Sequence, residues 1–452
     1  MLNTNSEYLR PEIMDVLRAF DMEEEEFTHY FSYSDGKFFN VIEYRSQFYD
    51  FEDIFNPEDD LEFKRYAKRF CKLAFYKVLS ETLGKKLPWG ALTGIRPTKM
   101  AFAEMNAGRD FFELFKTLCV SEENIKLIQN IVNVQKPFRN GGRSLYVSIP
   151  FCPTKCEYCS FITASIEKTK QYVESYIDCL VNEIHSVKPF VQNVRSVYVG
   201  GGTPFVLTVE QLERIYAAIN EVLPKDCEYT VEAGRPDVFT EERLALSKQY
   251  GVNRICVNPQ TFNDKTLETI GRKHTAAQTI QAYRMAEKYG FDINIDLIAG
   301  LTDETCADFE NSLNTAIVLN PANITVHTLS LKSGAKLKES VKRLHVAEIS
   351  EMIALSRAKL SAAGYEPYYL YRQKYQAGGL ENVGWSKPDK ACIYNIDVME
   401  ELGDNIAVGA NAISKRLYAS EERIERCDTP KDIPTYISKI DDIIAKRIKF
   451  FK

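Results

Sequence analysis

Between residues 144 and 372 short apolar, β-branched runs alternate with longer segments of helical period, the signature of repeated βα units around a parallel sheet. Six such units are present, with strands expected at 145–150, 197–200, 229–233, 254–259, 293–298 and 324–331, each rich in Val, Ile or Tyr. The intervening helices have readable ends. One starts at Thr208-Val-Glu-Gln211, a capping box ahead of an apolar stripe through Leu212, Ile215, Tyr216 and Ile219. Another covers 276–289 and stops at Gly290, where a C-cap glycine belongs. No G-x-G-x-x-G turn follows the first strand, so the pattern predicts an α/β partial (β/α) barrel of six units rather than an open dinucleotide-binding sheet.

The flanks read differently. Residues 1–138 predict an N-terminal α+β domain with strands over 27–33 and 38–44 and helices over 61–83, 99–118 and 122–134. Phe138-Arg-Asn-Gly-Gly-Arg143 reads as a linker, which bounds the barrel domain at 139–372. Gly378, Gly379 and Gly384 then lead into a small C-terminal region, 373–452, with helices expected over 394–401 and 435–448.

Composition narrows the class. The chain has 452 residues, 45% hydrophobic and 27% charged, ordinary for a globular protein with a sizeable core. No apolar run approaches the roughly 20 residues that span a bilayer, and the start lacks a secretory signal, so a cytoplasmic protein is expected, with no membrane span. A net charge of −6 gives no basic face for nucleic acid, and a monomer is expected. Five histidines, none paired at i, i+4, make a His-built metal site unpromising.

Of eleven cysteines, three cluster directly after the first barrel strand, in Cys152-Pro-Thr-Lys-Cys156-Glu-Tyr-Cys159. This C-x3-C-x2-C loop falls at a strand's C-terminal end, where barrel active sites sit. Thiolates suit an iron–sulfur cluster or zinc. Zinc needs a fourth ligand, and the nearest candidates, Cys179 and His185, fall in the next predicted helix; a redox dithiol is the other plain alternative. Three ligands on a cubane would leave one iron open for substrate. Later strands add Gly200-Gly-Gly-Thr-Pro204, a turn that lets backbone approach a ligand, or serves simply as a connector. Glu232 and Asp296 interrupt apolar runs, either as ion pairs with Arg254 or Arg235 or as acceptors for a ligand, and Gln260 ends the fourth strand.

The segment Tyr146-Val-Ser-Ile-Pro-Phe-Cys-Pro-Thr-Lys-Cys-Glu-Tyr-Cys159 resembles the cluster loop of the radical-SAM superfamily. The resemblance implies that Cys152, Cys156 and Cys159 hold a [4Fe-4S] cluster whose fourth iron binds S-adenosylmethionine, the source of a 5′-deoxyadenosyl radical. The stretches 251–264, Ile270-Gly-Arg-Lys-His-Thr275 and Asp292-Ile-Asn-Ile-Asp-Leu-Ile-Ala-Gly-Leu301 are similar to the oxygen-independent coproporphyrinogen III oxidase group. By that resemblance Tyr146, Tyr158, Gly201, Gly202, Thr203, Glu232, Gln260, Arg272, Asp296 and Thr328 contact S-adenosylmethionine. Arg272 also reads as a plain surface cation, and His274 as structural.

Leu92-Thr-Gly-Ile-Arg-Pro-Thr-Lys99, Pro367-Tyr-Tyr-Leu-Tyr-Arg-Gln-Lys374 and Leu380-Glu-Asn-Val-Gly-Trp385 are similar to the coproporphyrinogen dehydrogenase (HemZ-type) branch. Arg372 and Lys374 among aromatics would suit a flat macrocycle bearing carboxylates, or the segment is only a final strand. Position 161 is Phe where the best-known oxidases carry a fourth cysteine, Asn258-Pro-Gln260 replaces Gly-Val-Gln, and Leu301-Thr302 replaces Leu-Pro. The radical-SAM heme chaperones normally carry a His-Asn pair, which this sequence lacks. The resemblance implies oxidative decarboxylation of two propionates of coproporphyrinogen III to vinyls, giving protoporphyrinogen IX, with an electron donor for the cluster and an acceptor of unknown identity. The alternatives are a heme-binding delivery protein and a radical methyltransferase acting on heme.

Overall fold

Period-two alternation in the N-terminal region becomes a sheet larger than the pattern suggested. The computed structural model describes residues 1–94, 96–224, 226–330, 346–373, 379–418 and 423–452. Ile95, residue 331 of the sixth predicted strand, Lys374 and Gly378 therefore lie outside the described residues. Two units form, one of Met1–Asn130 with Arg372–Glu381, the other of Ile131–Tyr371 with Asn382–Lys452.

In the first unit, strands β1 (Leu2–Thr4), β2 (Phe27–Ser34), β3 (Lys37–Tyr44) and β4 (Gln47–Ile54) pair in that order. β2 and β3 bury Phe27, His29, Phe31 and Phe38, Asn40, Ile42, Tyr44 on alternate positions. β4 buries no residue fully, and Asp50, Glu52 and Asp53 among its aromatics leave no regular apolar alternation to mark it. The helix expected over 99–118 is two, Pro97–Asn106 and Phe111–Thr117. Gly108 at φ +70° breaks the run and the Asp110 carboxylate restarts it by accepting from the Phe112 N–H at 2.8 Å. The returning segment is held by Trp89, whose Nε1 donates to Glu381 at 2.7 Å and whose ring lies 5.1 Å from the Arg372 guanidinium.

In the second unit the six predicted runs become β5 (Arg143–Ile149), then, past the short pair β6 (Phe151–Cys152) and β7 (Ala164–Ser165), β8 (Val194–Gly201), β9 (Glu228–Gly234), β10 (Arg254–Val257), β11 (Asp292–Ala299) and β12 (Asn323–Thr328). β5 and β8 to β12 are consecutive parallel neighbours, and helices between them begin at capping boxes on Thr208, Thr275 and Thr305. The helix Ala276–Lys288 ends as expected before Gly290, φ +67°. Val147, Val199, Val231, Ile255, Ile295 and Ile324 are fully buried, the continuous burial a parallel sheet covered on both faces requires.

From 366 onward the chain holds more strand than expected. β13 (Glu366–Arg372) and β14 (Glu381–Ser386) extend the sheet beyond β12; β15 (Asn405–Val408), β16 (Ile413–Tyr418) and β17 (Arg423–Asp428) extend it beyond β5, with β15 parallel to β5. The order is linear, so the barrel is partial and open among the described residues. β14 is buried at every position and lacks alternation, which hid it in the sequence. Gly384 is required there, because a Cβ would lie 1.8 Å from the Tyr369 ring. The helices in this region are Ile393–Glu400, Ile433–Ser438 and Ile440–Phe451.

Candidate active site

The loop carrying the three cysteines leaves β5 and is pinned along its length. Cys152 pairs in register with Ser165 across β6 and β7. The Cys159 N–H donates to the Cys156 carbonyl at 3.1 Å, and the Glu157 N–H to the Ile270 carbonyl at 3.1 Å. The thiols are free, Cys156 buried and the other two half-buried. Burial pushes the Cys152 thiol up and Cys159 to about 11. Thiols raised in this way would ionise on binding a metal. Among the described residues no three His, Cys, Asp or Glu side chains converge on a single point suited to one ion. A cubane asks for something else, since each thiolate binds a different iron. The donor set fits it.

The glycine turn after β8 brings backbone up to this loop. The Gly202 N–H donates to the Ile149 carbonyl and the Thr203 N–H to the Phe151 carbonyl, both at 2.7 Å. A Cβ on Gly202 would stand 2.3 Å from that Phe151 carbonyl, and Gly201 adopts φ +106°. Buried Thr203 directs its hydroxyl to the Cys152 sulfur at 3.6 Å.

Register places Glu232 beside Gly200, on the sheet face that carries Tyr146 and Tyr198; Asp296, Thr325 and His327 share one face of the next strands. A Cβ on Gly200 would meet Glu232 Oε2 at 2.6 Å, so the missing side chain makes room for the carboxyl. Burial first, then the Asp296 charge, pushes the Glu232 carboxyl up to about 8, against opposing hydrogen bonds from the Gly201 N–H and the Tyr198 hydroxyl. The ion-pair alternative for Glu232 is not what forms. Arg254 lies 3.4 Å from Glu228 and 3.8 Å from Asp292, and Arg235 forks onto Asp237 at 3.0 and 2.8 Å. Asp296 faces His327 Nε2 at 3.8 Å, and His327 Nδ1 lies 3.2 Å from the Tyr371 hydroxyl.

Gln260 holds φ +72°, a left-handed position for a residue with a side chain, fixed by its N–H to the Asp296 carbonyl (3.0 Å) and its carbonyl to the Ile298 N–H (2.9 Å). Thr328 is buried at the end of β12, its N–H donating to Asn382 Oδ1 at 2.8 Å. Arg272 is no surface cation. It is buried, donates to the Tyr158 hydroxyl at 2.8 Å and to the Asn258 carbonyl, and leaves Nε, with Asn258 Oδ1, buried without a partner among the described residues. Orphaned polar atoms in such a mouth are ready to meet a polar ligand. Stacked Tyr198 and Tyr394 (4.6 Å, 23°), with Tyr146 alongside, line the same sheet.

His274 is buried, its ring nitrogens make no hydrogen bond among the described residues although Nδ1 lies 3.9 Å from an Asp237 carboxylate oxygen, and burial, then Arg272, lowers it to about 4, as suits a structural residue. Arg372, expected to suit a macrocycle carboxylate, donates instead to the carbonyls of Leu92, Gly94 and Gly379; its segment is strand β13. Sequence reasoning passed over His327, Tyr371, Asn382 and Thr154, none of which interrupts a pattern. It treated Arg235 only as a possible partner for a carboxylate.

Compared with known proteins, residues 146–316 match the family model described as the radical SAM superfamily. The chain is 36% identical over 421 residues, 88% of its length and 84% of the relative's, to the oxygen-independent coproporphyrinogen-III oxidase-like protein HemZ of Bacillus subtilis. The chain belongs to the radical SAM superfamily. Within the superfamily it falls in the oxygen-independent coproporphyrinogen III oxidase group, HemZ-type branch. The heme chaperone HemW of Bacillus subtilis is 32% identical over 251 residues, 53% of this chain and 65% of that protein. This radical SAM chain also shares its fold with coproporphyrinogen III oxidase (HemN) of Escherichia coli, at TM-score 0.56 and 23% identity over 69% of this chain and 72% of that one. The superfamily implies a [4Fe-4S] cluster and S-adenosylmethionine.

Proposed function

We propose that this chain is a radical-SAM coproporphyrinogen III dehydrogenase, converting two propionates to vinyls to give protoporphyrinogen IX without molecular oxygen, and that it works in the cytoplasm. The observation that carries the reading is the cysteine loop at the head of six parallel strands, with Thr203 against the Cys152 sulfur and Arg272 on Tyr158, in a chain matched over most of its length by an oxidase-like relative. No described helix is long and apolar enough to cross a membrane.

Cys152, Cys156 and Cys159 would hold the cluster, which with S-adenosylmethionine supplies one-electron reductive cleavage to a 5′-deoxyadenosyl radical. Gly201 and Gly202 would offer backbone groups to the ligand's amino group, with Thr203 beside the Cys152 sulfur. Glu232, Gln260, Asp296 and Thr328 offer hydrogen bonds from successive strand ends. Arg272 sets the Tyr158 ring within the cluster loop, and Tyr146 forms the floor with Tyr198. Together they fix orientation, so that the propionate β-carbon is presented to the radical and water is kept away. An external electron acceptor is needed to complete the oxidation.

A second reading, a heme-binding delivery protein, is favoured by the relatives named heme chaperone. One anaerobic assay separates the two. Reconstituted protein, reductant, S-adenosylmethionine, an oxidant and coproporphyrinogen III should yield 5′-deoxyadenosine in step with decarboxylated product. Deoxyadenosine at substrate-independent background, with heme retained through gel filtration, would establish delivery instead. Cys152→Ala, Cys156→Ala and Cys159→Ala should each lose the cluster's visible absorbance and all turnover, and full activity in any one sinks the ligand assignment.

A further inference from the structure

The site draws on the ends of the strands, and one ion pair with a buried guanidinium, Arg235 with Asp237, grips the cluster loop. Arg235 follows Glu232 by three residues, past the left-handed Gly234 (φ +81°), and is only 3% exposed. Its guanidinium is committed at every edge. Nε and one terminal nitrogen fork onto the Asp237 carboxylate at 3.0 and 2.8 Å, while the other terminal nitrogen donates to the Thr154 hydroxyl at 2.5 Å and reaches the Thr154 carbonyl at 3.5 Å. Thr154 lies between Cys152 and Cys156, two residues from each.

We infer that Arg235 and Asp237 are positioning residues for the iron–sulfur cluster: through Thr154 they fix the Cys152–Cys156 turn, and through their charges they tune the cluster's reduction potential. This rests on the proposal that the three cysteines hold a [4Fe-4S] cluster. A bidentate arginine–carboxylate pair holds one geometry, so the turn it grips is fixed before iron binds. The potentials of such clusters respond to net charge and hydrogen bonding around them. The arginine cation favours the added electron of the reduced cluster and the aspartate anion opposes it; the buried cation is poorly screened, and the carboxylate, which reaches solvent, acts the more weakly. The two members of the pair therefore act with opposite sign. A purely structural clamp would not do this, since breaking it from either side would loosen the loop alike.

The test uses the full-length chain, reconstituted anaerobically, with iron and sulfide per chain, electron paramagnetic resonance and redox titration as readouts. Arg235→Met should move the midpoint to more negative potential, a roughly tenfold fall in the reduced-to-oxidised ratio at fixed potential, or about 59 mV for one electron. Asp237→Asn should move it the other way. Arg235→Lys, which keeps the charge but not the fork, should recover most of the potential and leave the resonance of the reduced cluster broadened. Thr154→Val removes the grip without changing charge or the Arg235–Asp237 pair, and should lose iron to a chelator severalfold faster at near-native potential. If Arg235→Met fails to fold, Asp237→Asn and Thr154→Val still decide the matter. Potentials unchanged, or shifted in one direction by both charge variants, overturn the electrostatic role; iron retention in Thr154→Val equal to wild type overturns the positioning role. A wild-type chain that takes up no four-iron cluster overturns the ligand assignment and this inference with it.

Discussion

Glu232 shows how much one residue's surroundings decide. A carboxyl raised to about 8 by burial and then by Asp296 is largely protonated at neutral pH, so it can donate as well as accept a hydrogen bond. In the unfolded chain it would titrate near an ordinary value of about 4.3. Its neutral burial therefore contributes stability that is fully present below that value and is lost as pH rises toward 8. Ligand-free protein should lose stability across this window with a slope below the limiting value of about 1.4 kcal/mol per pH unit, because Glu232 keeps some exposure. Glu232→Gln should flatten that slope in calorimetry from pH 5 to 8; an identical slope in the variant would show the group titrates normally. Gly200→Ala tests the same pocket from the opposite side. Its Cβ would stand 2.6 Å from Glu232 Oε2 and 2.7 Å from the Tyr198 ring, so S-adenosylmethionine affinity should fall at least about tenfold, roughly 1.4 kcal/mol, by titration calorimetry.

At the scale of elements, the units most legible in the sequence are those whose stability is local. The capping box at Thr208 and Gln211 forms as read, with the hydroxyl accepting from the Gln211 N–H at 3.2 Å and the Gln211 side chain accepting from the Thr208 N–H at 2.9 Å. Thr208→Ala should cost about 1 kcal/mol, seen as a lower melting temperature with unchanged ligand binding. The helix Ile440–Phe451 is secured by something no local pattern shows. Arg447 is buried against Glu183, whose carboxylate also accepts from the Gly409 N–H at 2.7 Å and the Tyr436 hydroxyl at 2.6 Å. Arg447→Met leaves that carboxylate buried and short of its cation, and should destabilise the fold by about 3–5 kcal/mol. Pairing it with Glu183→Gln should recover part of the loss; strict additivity in chemical denaturation would contradict the coupling.

At the scale of the molecule, every residue assigned to the site belongs to the unit of Ile131–Tyr371 and Asn382–Lys452. Loading the cluster and S-adenosylmethionine binds the folded form of that unit, so ligand linkage should raise its unfolding transition. The transition of the unit that holds Trp89, Arg372 and Glu381 should stay where it is in the ligand-free protein. Differential scanning calorimetry with and without ligand checks this, and equal upward shifts in both transitions would count against it.

By itself the sequence determined the six βα units, the helix caps and the cysteine triplet, because period, capping chemistry and ligand spacing are each written within a dozen or so residues. It also marked Glu232 and Asp296, since a carboxylate in an apolar strand is visible without knowing the fold. Tertiary structure decided their partners. Arg254 and Arg235 were equally available to Glu232 in the sequence, yet the sheet register sends the first to Glu228 and the local turn sends the second to Asp237 and Thr154. Arg372 illustrates the same limit, its charge spent on carbonyls of Leu92 and Gly379. β14 and β15 stayed hidden because each joins the sheet by pairing with a strand far away in sequence, and β14, buried at every position, leaves no alternation to read; β16 and β17 are sequence neighbours that pair with each other, but each buries only one residue. Bonds such as Arg254 to Glu228 and Arg372 to Leu92 join residues far apart in the chain, so the partner of such a cation is fixed only when the backbone has brought the strands together.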